Sequence, residues 1–142
     1  YMRMPKPEGK RYELVGCPSG AHSETHYLLP GFIPVLDIIA QKYYGKFEDD
    51  RMKFNDMSLP WGGKFDYKYN NWTGPHDTHM SGRCCDLNDV GRGQGVPPFN
   101  DNARNEFLED LIRNELKLYL LKEPTCWHIQ WNYKVDGSRG GY

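Results

Sequence analysis

With 142 residues and a formal net charge of -1, the chain is sized for one domain around one core and carries no basic footprint for nucleic acid. Its greasiest stretch, "YLLPGFIPVLDIIA", is too short for a membrane span and is cut by two prolines. Four cysteines, Cys17, Cys84, Cys85 and Cys126, allow up to two disulfides in three pairings, but they lack the C-x-x-C spacing of a zinc ribbon.

In chain order, "RYELVG" predicts an early strand, followed by a Gly/Ser/His-rich loop through "CPSGAHSETHY" that contains His22 and His26. Between Pro34 and Phe47, Val35, Leu36, Ile38, Ile39, Tyr43 and Tyr44 recur at helical spacing. "RMKFNDMSL" predicts a strand stopped by the turn-forming "PWGG", and "KFDYKY" another. From Asn102 to Leu121, the residues Phe107, Leu108, Leu111, Ile112, Leu116 and Leu120 form an apolar stripe, with Asn100 or Asp101 placed to cap its start. The closing segment, "CWHIQWNYK", alternates strictly: Trp127, Ile129, Trp131 and Tyr133 against Cys126, His128, Gln130 and Asn132. That period of two predicts a strand with one face on the core, leaving His128 on the open face.

These elements predict a single α+β domain over 1–142, a mainly antiparallel sheet with two helices on one face and a cleft on the other, the face that the zinc ligands considered below would share. The expected core is Val35, Leu36, Ile38, Ile39, Phe107, Leu108, Leu111, Ile112, Trp127, Ile129 and Trp131. Trp61, Trp72 and the tyrosines of "FDYKYNNW" are candidates for lining a cleft, although aromatics more often sit in cores. The start at Tyr1 rather than Met is expected of a mature or trimmed form whose leader is gone, in a secreted or periplasmic setting. "NWT" at 71–73 also fits a glycosylation sequon.

Hydrolytic zinc sites use three protein ligands, His nitrogens or carboxylate oxygens, and keep a fourth position for water. His79, Asp86 and His128 make such a set. The offset from His79 to Asp86 is odd, so one straight strand would point them to opposite faces, and a bend at Gly82 is needed between them. "RCCDL" then runs as a strand with Cys84 and Asp86 on one face and Cys85 and Leu87 on the other, and His128 arrives from a neighbouring strand. Spacing alone leaves this as one option among several; ordinary hydrogen-bonded histidines and a turn aspartate are another. The H-E-x-x-H signature is absent.

The wording of "PHDTHMSGRCCD", a pattern H-x-x-H-x-x-G-x-x-x-D, resembles the signature of penicillin-insensitive murein endopeptidases. These belong to a wider zinc-peptidase group with lysostaphin-type enzymes, D-Ala-D-Ala dipeptidases and the hedgehog signalling domain. "NDMSLPWGGKFD" is similar to the segment preceding that motif, and "CWH" stands where the family has His-x-His. The resemblance covers roughly Phe54 to Asp86 plus the last strand and leaves Tyr1 to Phe32 unplaced. It implies zinc held by His79, Asp86 and His128, with His76 beside the metal as oxyanion support. Glu123, five residues before His128, falls near an active-site position of the family and is placed to shuttle a proton. The implied substrate is the peptide of bacterial cell-wall peptidoglycan.

Two departures from the family pattern stand out. Cys126 replaces the first His of His-x-His, so its thiol can approach the metal or pair with Cys84; Gln130 stands where an Arg is often found. Alternatives are a zinc peptidase acting on another amide, a non-catalytic zinc module of hedgehog type, and a disulfide-stapled binding domain without metal.

Overall fold

The computed structural model describes residues 1–15, 26–48, 50–58, 81–88, 102–123 and 126–131. The strand expected over "KFDYKY", the caps Asn100 and Asp101, and Cys17, His22, Trp61, Trp72, His76 and His79 lie outside these residues. The order of elements is β1 (Met2–Arg3), β2 (Tyr12–Leu14), β3 (Tyr27–Leu28), α1 (Ile33–Lys46), β4 (Met52–Phe54), β5 (Cys84–Asn88), α2 (Asn102–Asp110), β6 (Tyr119–Lys122) and β7 (Cys126–Gln130).

β1 and β3 form a small antiparallel ladder, which gives the N-terminal segment a place. Among the described residues the main sheet has five strands in the order β2-β4-β5-β7-β6. It is mixed: β2 runs parallel to β4, and β4–β5, β5–β7 and β6–β7 are antiparallel. The architecture is therefore α+β. No helix among the described residues is long and apolar enough to cross a membrane.

Strand register sorts the side chains into two layers. On one face Tyr12, Met52, Phe54, Cys85, Leu87, Leu120, Trp127 and Ile129 join a single buried cluster with Leu36, Ile39, Ala40 and Tyr43 of α1 and Leu108, Leu111 and Ile112 from the α2 region. Each such fully buried aliphatic or aromatic side chain contributes about 1.5–3 kcal/mol. Both helices thus cover one face, as the periodicity predicts. Ile38, expected in the core, is 40% exposed, because the buried stripe of α1 runs 36, 39, 40 and 43. Val35, Phe107 and Trp131 pack on the cluster only in part. Sequence periodicity passed over Met4, Leu28, Phe32 and Met57, all buried here on short or irregular segments.

α1 follows a 3-10 turn over Pro30–Phe32, and Pro34 occupies its first turn, where no backbone N–H has a helical partner to lose. Lys46 sits in its last turn, where a cation favours the helix dipole. A polar clasp ties α1 to α2: the Tyr43 hydroxyl donates to Asp50, and Arg104 reaches the same carboxylate at 3.2 Å while lying 4.7 Å from the Phe47 ring centroid.

The second helix corrects the expectation of a continuous helix to Leu121. After Asp110 it widens into a π-helical turn over Leu111–Glu115 and ends, and Tyr119–Lys122 is a strand. Lys117 takes a left-handed backbone (φ 57), and Leu118 N–H donates to Ile112 O at 2.9 Å, which closes the helix and reverses the chain. Leu120 matches the helical stripe by spacing, yet it is buried from β6. A non-glycine residue in this conformation is strained by about 1–2 kcal/mol. Lys117→Gly should therefore raise thermal stability, by about 0.5–1 kcal/mol once the greater freedom of the unfolded chain is counted, measured by reversible denaturation.

Candidate metal centre

The other layer of the sheet is polar. Cys84 faces Gln130, Asp86 faces His128 and Asn88 faces Cys126 across the β5–β7 ladder, with Leu121 and Tyr119 flanking from β6. β5 is the middle strand of five, so Asp86 lies at the centre of the sheet. Its backbone is clamped on the other side by an extension of β4: Asn55 N–H donates to Asp86 O at 2.8 Å, and Asp86 N–H donates to Asp56 O at 3.0 Å. The bend expected ahead of this strand is present at Gly82, with φ +68. A Cβ there would meet the Leu29 backbone nitrogen at 3.0 Å, so glycine is needed for space as well as for conformation.

The structure brings Asp86 and His128 together. His128 Nδ1 lies 3.0 Å from Asp86 Oδ1, and both side chains are buried. This corrects the expectation of an open face: His128 is only 4% exposed. Alternation tells which side of the sheet a residue faces, not what covers that side. Burial alone lowers the His128 pKa, but the hydrogen bond to Asp86 and the neighbouring Cys84 outweigh it and raise the value to about 10. In the metal-free protein the pair is an imidazolium on a carboxylate.

Gln130 orients the ring. Its Oε1 accepts from the Cys84 thiol at 3.6 Å and lies 3.3 Å from His128 Nε2. With Nε2–H directed at this carbonyl oxygen, Nδ1 is the nitrogen turned to Asp86; metal-binding histidines likewise have their non-ligating ring N–H held by a hydrogen bond. In the sequence Gln130 is marked by its place where the resembled family often has an Arg and by its i+2 offset from His128 on one strand face.

At the other end of the layer, Asp86, Glu123 and Cys126 each offer a donor atom within 4.8 Å of the other two. Glu123 is held at the hairpin by its N–H donating to Cys126 O at 3.0 Å. Nearby on the same layer, Asn55 Nδ2 donates to Asn88 Oδ1 at 3.1 Å, while Asn55 Oδ1 is buried without a hydrogen-bond partner among the described residues. The structure therefore pairs Asp86 with His128 and groups Asp86 with Glu123 and Cys126; the other two expected site residues, His76 and His79, lie outside the described residues. The Cys84–Cys126 pairing is corrected: the two face Gln130 and Asn88 at opposite ends of the ladder and are not joined by a disulfide.

The donor set fits a borderline-soft divalent ion. Two ligands of one zinc, bonded at about 2.0–2.2 Å in tetrahedral array, stand roughly 3.4 Å apart, close to the Asp86–His128 separation. The carboxylate and imidazole would hold the ion, and a bound ion would displace the proton they share.

Without metal, the raised His128 value makes the pair's stabilisation complete below about pH 6.5 and progressively lost as pH rises towards about 10. Cys85 and Tyr43 are also raised by burial and weaken the fold at high pH, but they do so in any variant that retains them. At pH 6, His128→Ala should cost about 3–5 kcal/mol, since it strands a buried carboxylate. The gap to wild type should narrow between pH 6.5 and 10 in urea melts of metal-free protein.

The chain matches no family model and no curated protein sequence, so the chemistry of this cluster rests on its own residues.

Proposed function

We propose that the chain is a zinc-dependent hydrolase of amide bonds, with peptides of bacterial cell-wall peptidoglycan as its substrate class and a secreted or periplasmic place of action. The observation that carries this reading is the buried Asp86–His128 pair, set by register at the centre of the sheet with Gln130 fixing the ring and Glu123 at its rim. His79 completes the ligand set in this reading. The resemblance of "PHDTHMSGRCCD" and "CWH" to the murein endopeptidases supports the ligand assignment and the substrate class.

When bound, zinc would lower the pKa of a coordinated water to about 7 and polarise the scissile carbonyl. Glu123, half-buried at the hairpin within 4.8 Å of Asp86, takes the proton from the attacking water and returns it to the leaving amine. His76 donates to the developing oxyanion. The buried polar layer keeps Asp86 and His128 away from bulk water, which strengthens their interactions with charge. A second reading, a non-catalytic zinc module of hedgehog type, is favoured by one observation: the Cys126 sulfur lies among the donor atoms.

Purified protein should contain one zinc per chain, lost in His128→Ala, and should release peptides from peptidoglycan. Glu123→Gln should keep the zinc and lower kcat by about 10²–10⁴. Absence of zinc from wild type, even after incubation with excess metal, would overturn the proposal. Zinc without hydrolysis in wild type would favour the binding module.

A further inference from the structure

We infer that Cys126 is itself a ligand of the metal in this centre, so that the resting site is held through sulfur as well as nitrogen and oxygen. The inference rests on the zinc reading above and concerns what closes that site.

Three thiols are placed by the structure, and their positions separate them. Cys85 points into the apolar core, where burial pushes its thiol pKa well up. Cys84 is buried at the far end of the polar layer and donates to Gln130. Cys126 alone of the three lies at the acidic end, with its sulfur within 4.8 Å of donor oxygens of both Asp86 and Glu123. It shares a strand face with His128, one pair along the ladder: Asn88 faces Cys126 where Asp86 faces His128. Zinc–sulfur and zinc–oxygen bonds of about 2.3 and 2.1 Å place tetrahedral neighbours roughly 3.6 Å apart, so side-chain rotations of about 1 Å suffice to bring Cys126 and Asp86 onto one ion. Cys126 is only half-buried, so its proton has a path to water when sulfur binds as thiolate.

The consequence is chemical. Hydrolytic zinc sites keep one coordination position for water, whereas structural sites fill it from the protein. A Cys126 thiolate adds one protein ligand to the centre, and Glu123, whose N–H donates to Cys126 O at 3.0 Å, stands beside it.

Cobalt reports sulfur directly, because a thiolate ligand adds an intense near-ultraviolet charge-transfer band independent of turnover. Titration of the metal-free full chain with Co²⁺ should give one ion per chain with that band. In Cys126→Ser the band should vanish while one ion still binds, at least about tenfold more weakly, a floor set by what outer-shell substitutions alone can cost. Cys84→Ala should retain the band. Stoichiometric cobalt without the band in wild type, or a band that survives Cys126→Ser, overturns the inference and leaves the zinc reading standing. Failure of wild type to bind cobalt overturns both. Far-ultraviolet circular dichroism of each variant confirms that its fold is intact, and alkylation of Cys126 in wild type, which must also abolish the band, supplies a second test that needs no variant.

Discussion

The rest of the structure depends on the contact between Asp86 and His128. Two groups that water solvates strongly are placed at the middle of a five-stranded sheet, one from each of two adjacent strands, and are nearly sealed from solvent. Such burial is unfavourable for either alone and tolerable only for both together. The sheet therefore has to deliver them in register, since a slip of one residue would send Asp86 towards the helices and bring Leu87 into the polar layer. The backbone of Asp86 is bonded on its β4 side to Asn55 and Asp56, while its side chain looks across to β7. This clamp, with the turn at Gly82 that precedes the strand, fixes where the carboxylate stands.

The division of the sheet into two layers follows from the same period of two. One layer is closed by α1 and α2 and carries the hydrophobic stabilisation; the other collects thiol, amide, carboxylate and imidazole. Trp127 and His128 are chain neighbours assigned to different tasks by one peptide step. The apolar layer holds the strands rigid, and that rigidity lets the polar layer keep geometry that would be unfavourable on a loop. The clasp of Tyr43, Asp50 and Arg104 lies far along the chain from the site but joins the two helices behind it.

Much of this arrangement was legible in the sequence where a period ran unbroken. The alternation through "CWHIQW" placed β7 and sorted its faces, and the parity of Cys84 and Asp86 against Cys85 and Leu87 matches the observed layers. The helix over 33–46 was readable from its stripe, although the stripe did not reveal that Ile38 faces outwards. Legibility failed where two periods share residues. Leu116 and Leu120 satisfy helical spacing, but the left-handed Lys117 stands between them and turns the chain into a strand. It failed again for coverage: alternation assigns His128 a side but cannot say that the side is enclosed. The N-terminal strands are only two or three residues long, too short for any pattern to emerge. In the candidate site, Asp86, His128 and Glu123 were named from the sequence, whereas the orienting role of Gln130 appears only once its amide is seen between Cys84 and the His128 ring.

Asp86 belongs to two groupings at once, hydrogen-bonded to His128 on one side and close to Glu123 and Cys126 on the other. Without metal, the proton on His128 balances the buried carboxylate, and the raised imidazole pKa measures how strongly that proton is held. A divalent ion bound at His128 Nδ1 would displace it, so proton and metal would compete for one ring nitrogen. The same pair that stabilises the sheet holds oxygen and nitrogen 3.0 Å apart, close to the separation of two ligands on one zinc. At the start of β7, Cys126 and Glu123 stand together, with Glu123 N–H donating to Cys126 O and both side chains within 4.8 Å of Asp86. Under the zinc proposal, sulfur on the ion would make this end of the layer a binding site, and a water beside Glu123 would make it a hydrolytic one.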